Sequence, residues 1–370
     1  MSAPTVARHR KPVFHSLPVA AVDRITDDAV TVTFDVPPEL REDYTFTAGQ
    51  HVTVRCDLAG DTVRRNYSLC SSATSGVLRV AVKRLAGGTF SAYVHERLRP
   101  GDEMEVMTPT GHFSPPLDPA NAKHYVAVAA GSGITPVLSI LTTVLELEPH
   151  SRCTLIYGNR TTSSIMFLEE LQDLKNAYPE RFHLVHVLSR EQQDVDLFHG
   201  RIDGERTSRL LDTLLSIDDV DEWFLCGPFT MVESVRETLI DAGADPDHVH
   251  RELFHVESTP PRRTPAADGD GAATVSAGTS AVRIVLDGRA TTFELSPDGS
   301  SILDAALAVR NDAPYACKGG VCGTCRAMVV EGEVEMDQNY ALERDEIEKG
   351  FVLACQSHPK TAQVILDFDQ

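Results

Sequence analysis

Pro314-Tyr315-Ala316-Cys317-Lys318-Gly319-Gly320-Val321-Cys322-Gly323-Thr324-Cys325 sets three cysteines in one loop, with four and then two residues between them. A fourth, Cys355, follows after 29 more residues, in Val352-Leu353-Ala354-Cys355-Gln356. This is the C-x4-C-x2-C…C spacing of a plant-type [2Fe–2S] cluster. Irons bridged by sulfides need four thiolates around one compact core; a tight loop supplies three, and the last closes from elsewhere. Gly319, Gly320 and Gly323 allow the backbone to wrap the sulfides and turn N–H groups toward them. Other thiol chemistries explain the pattern less well. A structural zinc site uses paired Cys-x2-4-Cys knuckles, and the loop has one such pair. A dithiol redox motif leaves Cys317 and Cys355 unexplained. A disulfide framework belongs to chains with a secretory signal.

The chain has 370 residues, room for two or three domains. Hydrophobic residues make up 42% and charged residues 24%, ordinary for a soluble globular protein. No apolar run approaches the roughly 20 residues of a membrane helix. The basic first eleven residues are followed by no apolar stretch, so they are not a signal peptide, and a cytoplasmic location is the default expectation. The formal charge of −20 argues against nucleic-acid binding. Residues 1–118 carry 13 basic and 14 acidic side chains, net −1, whereas residues 281–370 carry 8 and 15, net −7. An acidic cluster domain can steer a basic redox partner; acidic surfaces also simply keep proteins in solution.

Working upstream from the cluster loop, Ser300-Ser301-Ile302-Leu303-Asp304 predicts a capped helix, and Val282 to Leu286 with Thr291 to Leu295 predicts a hairpin around Asp287-Gly288. Residues 281–370 therefore read as an α+β cluster domain. Residues 257–280, rich in Pro, Gly, Ala, Ser and Thr, read as a flexible linker. Residues 119–256 alternate continuous apolar strands, beginning at Tyr125-Val126-Ala127-Val128-Ala129, with helix-period runs near 137–147, 166–177 and 230–242. That order predicts an α/β doubly wound parallel sheet. Residues 13–118 show period-two strands separated by Gly, Pro and Asp turns, with one helix over 89–98, and predict a small antiparallel β-barrel.

Each front domain carries a cofactor constellation. In the barrel, Arg65-Asn66-Tyr67-Ser68 offers a cation for a pyrophosphate, an aromatic face for an isoalloxazine and a hydroxyl for flavin N5, with Arg65 and Tyr67 on one face of a strand. Gly87-Gly88-Thr89-Phe90-Ser91 opens the helix, where free N–H groups suit a phosphate. In the α/β domain, Gly131-Ser132-Gly133-Ile134-Thr135-Pro136 lies where a parallel strand meets a helix, the place where dinucleotides bind. The strand ends Gly158-Asn159-Arg160 and Ser189-Arg190 lack an acidic residue for a ribose 2′-OH; two arginines and a serine favour a 2′-phosphate, hence NADPH over NADH. Cys226-Gly227-Pro228 places a small polarisable thiol beside the nicotinamide. Two further patterns read as ordinary strand or surface residues: Glu252-Leu253-Phe254-His255, because E-x-x-H di-iron sites need a four-helix bundle, and His248 with His250, which lack further zinc ligands.

The motifs and their order resemble the ferredoxin–NADP⁺ reductase superfamily with a C-terminal plant-type ferredoxin domain of β-grasp fold. Phe14-His15-Ser16-Leu17, Leu155 to Thr161, His199 to Glu205 and the cluster loop are more specifically similar to reductase subunits serving di-iron ring epoxidases. The resemblance implies FAD, NADPH, a [2Fe–2S] cluster and electron delivery to oxygenase subunits held on separate chains. It implies that Arg65, Tyr67 and Ser68 hold the flavin, that Gly88, Thr89 and Ser91 approach its pyrophosphate, and that Gly131, Thr135, Cys226 and Gly227 line the nicotinamide side. Arg160, Ser189 and Arg190 would face the 2′-phosphate, and Cys317, Cys322, Cys325 and Cys355 would ligate iron. Ser68 and Cys226 would stand at the reacting atoms. Three choices stay open in the sequence. The flavin can be FAD or FMN. The acceptor can be a di-iron epoxidase or a Rieske-type steroid or aromatic-ring hydroxylase. The chain can also be a ferredoxin-type carrier whose front domains are scaffolding. Tyr315, Lys318 and Val321 are expected on the acceptor-facing surface.

Overall fold

The computed structural model describes residues 12–58, 60–254, 278–310, 312–342 and 344–370. The basic N-terminal residues, His255 and linker positions 257–277 lie outside them. The barrel contains β1 (Phe14–Thr26), β2 (Ala29–Phe34), β3 (His51–Leu58), β4 (Asp61–Ser68), β5 (Leu78–Lys83), α1 (Thr89–Glu96) and β6 (Glu103–Met107). Its six strands run in the order β4-β3-β6-β1-β2-β5, and a bridge between Leu69 and Val80 closes the ring. The long β1 serves both halves. Phe14 to Pro18 pair with β6 and Val19 to Thr26 with β2, with a register shift after Val19 that turns the strand around the corner. Alternation puts Leu17, Val52, Val54, Val80 and Val106 inside, where Phe90 and Val94 of α1 cover them.

His51 opens β3 and is 5% exposed, its Nε2 3.3 Å from Thr110 Oγ1. Burial, helped by His112, pushes its pKa down from 6.5 to about 4. The unfolded chain therefore takes up a proton that the folded one refuses. This stability is complete above the unfolded value and is lost as pH falls from 6.5 toward 4. Lowering the pH from about 7.5 to about 5 should cost about 2 kcal/mol through this residue. Urea midpoints of the holoprotein at the two pH values check it, and His51→Gln should flatten the difference.

The second domain contains β7 (His124–Ala130), α2 (Ile134–Leu147), β8 (Arg152–Asn159), α3 (Leu168–Ala177), β9 (Phe182–Leu188), α4 (Gly204–Leu214), β10 (Glu222–Gly227), α5 (Phe229–Asp241) and β11 (Val249–Leu253). All pairings are parallel, in the order β11-β10-β7-β8-β9. The order reverses between β7 and β10, so the ends of those two strands open the crevice where open sheets bind ligands. One apolar core runs past the domain limit: Ala29, Ala48, Cys70 and Phe113 of the first domain pack with Ile134, Ile140 and Phe224 of the second. Ser139 Oγ donates to Ser71 O at 2.7 Å, and Arg79 grips Glu170 with two hydrogen bonds of 3.1 and 2.7 Å. Barrel and sheet are thereby fixed to each other.

The last domain contains β12 (Ser280–Leu286), β13 (Arg289–Leu295), α6 (Ile302–Val309), β14 (Arg326–Glu331), β15 (Val334–Met336), α7 (Arg344–Glu348), β16 (Phe351–Leu353), β17 (Ser357–Pro359) and β18 (Gln363–Asp367). A mixed sheet, β13-β12-β18-β14-β16, packs on α6, whose N-cap Ser301 accepts from Asp304 N. No helix among the described residues is long and apolar enough to cross a membrane.

Candidate active site and cluster loop

The flavin constellation lies on β4 and the start of α1, joined where Tyr67 meets Phe90 with ring centroids 5.7 Å apart. Arg65 is exposed, with Nη1 on Arg64 O at 2.7 Å. Gly88 caps α1 without any side-chain hydrogen bond, so the first helical N–H groups beside exposed Thr89 are free for an anion. The Ser91 hydroxyl is not free. It accepts from Leu85 N and donates to Gly88 O, each at 3.1 Å, and so holds the turn itself. Asn66 Nδ2, on the Ser68 face of the strand, is buried with no hydrogen-bond partner among the described residues, a donor suited to a bound polar ligand. These residues fit a flavin.

At the switch point, Gly131 has φ 54° and accepts at its carbonyl from Tyr157 Oη at 2.8 Å. A Cβ on Gly133 would stand 2.2 Å from Cys226 O, so only glycine lets the two strand ends meet. Thr135 is buried and its hydroxyl closes this turn on Ser132 O at 3.0 Å. A Cβ on Gly227 would stand 2.7 Å from the Met231 side chain and 3.2 Å from Ala130. At the outer edge, Ser189 N bonds to Asn159 O at 2.9 Å and Arg190 N to Arg160 O at 2.8 Å. That ladder brings Arg160, Ser189 and Arg190 together, with both guanidinium groups exposed and outside the ion pairs of the described residues.

Glu252 corrects the sequence reading. Parallel register sets it beside Cys226, and Ser68 Oγ donates to its Oε2 at 3.0 Å. Burial raises its pKa to about 8 against the lowering effect of that hydrogen bond, and nearby Cys322 adds to the rise. Burial also pushes the Cys226 thiol well above its ordinary range. Ser68, Cys226 and Glu252, from three strands, thus form one cluster at the mouth of the crevice, where burial disfavours the charged forms of the thiol and the carboxyl. An acidic residue ending the last parallel strand beside the switch point is the signal that the sequence offers for it. His248 and His250 are also less ordinary than expected. Their ring nitrogens lie 3.2 and 2.9 Å from buried Glu222 Oε2, whose pKa is lowered to about 2 because hydrogen bonds from His250, Lys123 and His248 outweigh burial. They belong, with Lys123, to a structural network of contacts around Glu222.

The four thiols lie as two neighbouring pairs, Cys317 beside Cys322 and Cys325 beside Cys355. In each pair one thiol is pulled down by its partner: Cys322 to about 6, Cys355 below its ordinary value. Two thiolates per iron is what a [2Fe–2S] cluster requires. Gly320 and Gly323 take φ of 75° and 66°, and Lys318, rather than Gly319, supplies the third left-handed residue at 53°. Gly319 N donates to Cys317 Sγ at 3.3 Å. Tyr315 and Val321 do not face outward as expected. Tyr315 lies under Arg64 of the barrel, and Val321 packs against the core of the second domain.

Three families match successive parts of the chain: the oxidoreductase FAD-binding domain over residues 16–114, the oxidoreductase NAD-binding domain over 127–237, and the 2Fe-2S iron-sulfur cluster binding domain over 284–360. One of the subunits of the 1,2-phenylacetyl-CoA epoxidase of Escherichia coli is 46% identical over 96% of this chain and 98% of its own. A 3-ketosteroid-9-alpha-monooxygenase ferredoxin reductase component of Rhodococcus rhodochrous is 35% identical over 95% and 96%. Among solved structures, phthalate dioxygenase reductase, described as a modular structure for electron transfer from pyridine nucleotides to [2Fe-2S], matches with TM-score 0.58 and 25% identity over 96% of this chain and 98% of that one.

Proposed function

The chain belongs to the family of oxygenase reductases that join an FAD-binding, an NAD-binding and a 2Fe-2S domain, and on that premise we propose that it feeds electrons from NADPH to a di-iron phenylacetyl-CoA epoxidase. Identity of 46% along almost the whole length, against 35% for the steroid system, carries the choice of acceptor. When bound, a flavin would supply hydride acceptance from the nicotinamide and release of electrons one at a time with a proton, and a [2Fe–2S] cluster would supply single-electron relay.

The residues supply orientation and a path for that proton. Gly131, Gly133, Cys226 and Gly227 let the nicotinamide approach the backbone of the crevice closely, and the Cys226 thiol fills the floor without charge. Tyr67 supplies the aromatic face, and the free N–H groups at Gly88 and Thr89 the pyrophosphate cradle. Ser68 Oγ, which donates to Glu252 Oε2 at 3.0 Å, would hand its own hydrogen to the ionised form of Glu252 as it takes up the proton. Cys317, Cys322, Cys325 and Cys355 hold the cluster.

Arg160 and Arg190 favour a 2′-phosphate by charge and by forked hydrogen bonding. Arg190→Glu should raise the KM for NADPH about tenfold or more, since a charge-assisted hydrogen bond is worth about 1.5–3 kcal/mol, and leave NADH kinetics nearly unchanged. Equal effects on the two nucleotides would assign these arginines elsewhere. Reconstitution with the epoxidase subunits and with a Rieske steroid hydroxylase, following NADPH consumption, tests the acceptor. Coupled product formation with the Rieske hydroxylase alone would overturn the choice.

A further inference from the structure

A column of alternating cations and aromatic rings crosses from the barrel to the cluster loop. Arg55, held by Glu105, lies 4.2 Å from the Phe14 ring centroid. Arg64 lies 5.4 Å from the same ring and 4.2 Å from that of Tyr315. Lys318 Nζ closes the far end, 4.8 Å from Tyr315 and 2.8 Å from Asp304 Oδ1. Arg64 also donates to Tyr315 O at 3.4 Å, and its Nε is buried. Members of the column thus come from β1, β3, β4 and the loop that carries Cys317.

Arg64 shares a face of β4 with Ser68, about 13 Å along the strand at about 3.3 Å per residue. Two other contacts seat the same loop. Tyr340, whose N–H donates to Gly320 O of the loop at 3.0 Å, meets Phe229 edge-on at 5.6 Å, and Val321 packs on the second domain. Neither pair touches β4, so the Arg64–Tyr315 contact is what sets the loop against the flavin strand. Cation–π contacts strengthen when desolvated, and Arg64 is partly buried here.

We propose that Arg64 and Tyr315 are positioning residues that dock the cluster loop on the flavin-carrying strand for electron transfer within the chain. Their role lies between the cofactors, since neither residue belongs to the flavin, nucleotide or iron-ligand sets. It also makes this face of the loop an internal one.

The test uses the holoprotein with Arg64→Ala, Tyr315→Leu and the conservative Tyr315→Phe. In Arg64→Ala and Tyr315→Leu, deuterium uptake across residues 314–322 should rise, and the flavin-to-cluster step in rapid mixing should slow about tenfold. NADPH–ferricyanide activity, flavin content and cluster absorption should not change. Tyr315→Phe keeps the ring and should behave as wild type. The two single substitutions, made on opposite domains, should not add when combined. Wild-type uptake and transfer rate in either Arg64→Ala or Tyr315→Leu would overturn the proposal. So would an equal loss in Tyr315→Phe.

Discussion

Cys322→Ser should abolish electron delivery to an oxygenase or to cytochrome c while NADPH–ferricyanide activity stays within about twofold of wild type. A serine alkoxide is a poor substitute for a thiolate on iron, and Cys322 is one of the four thiols proposed to hold it. The barrel and α/β sheet share a buried core, and the last domain has its own, meeting the second domain's apolar residues through Val321 and Tyr340 at its margin, so the front domains should keep their flavin and their affinity for NADPH. The visible bands of the cluster should be lost or shifted. Retention of both activities with an unchanged spectrum would remove Cys322 from the ligand set.

Glu252→Gln should lower turnover with every acceptor, ferricyanide included, by about 10²-fold, the lower end of what a positioned acid or base contributes. The amide keeps a hydrogen-bond partner for Ser68 but cannot carry a proton. The KM for NADPH and the cluster spectrum should be unchanged, because Glu252 stands on β11, at the opposite edge of the sheet from the strands β8 and β9 that lead into Arg160 and Arg190. Ser68→Ala should produce a similar loss, and the double variant little more than either, as expected of groups acting in series. A kcat within about threefold of wild type for Glu252→Gln would mean that the proton leaves by another route. The two substitutions separate the halves of the path: Cys322→Ser spares ferricyanide reduction, Glu252→Gln does not.

Much of this organisation is legible from residue order. The strands β7 and β10 announce themselves because a sheet covered on both faces needs continuous apolar runs, and the cysteine spacing reflects cluster geometry that no other chemistry requires. Helix α4 gives no such signal, because Gly204–Leu214 is mostly polar; its start depends on Asp203 accepting from Arg206 N, and only Thr207 and Leu210 are buried. Glu252 reads as ordinary in the sequence because its neighbours suggest only a di-iron motif without its bundle. Its role arises from parallel register with Cys226 and a hydrogen bond across 184 positions of sequence. Ser91 and Thr135 show the converse: their motifs are legible, yet each hydroxyl closes its own turn. The Arg64–Tyr315 contact spans 251 positions, and no local pattern could reveal it.

Anaerobic rapid mixing of the holoprotein with NADPH, monitored at flavin and cluster wavelengths and followed by addition of the epoxidase subunits, tests the whole path at once. The expected result is flavin bleaching first, cluster bleaching second, and reoxidation of the cluster on adding the epoxidase. Oxidation of NADPH without cluster reduction, or a reduced cluster that the epoxidase leaves untouched, would contradict it.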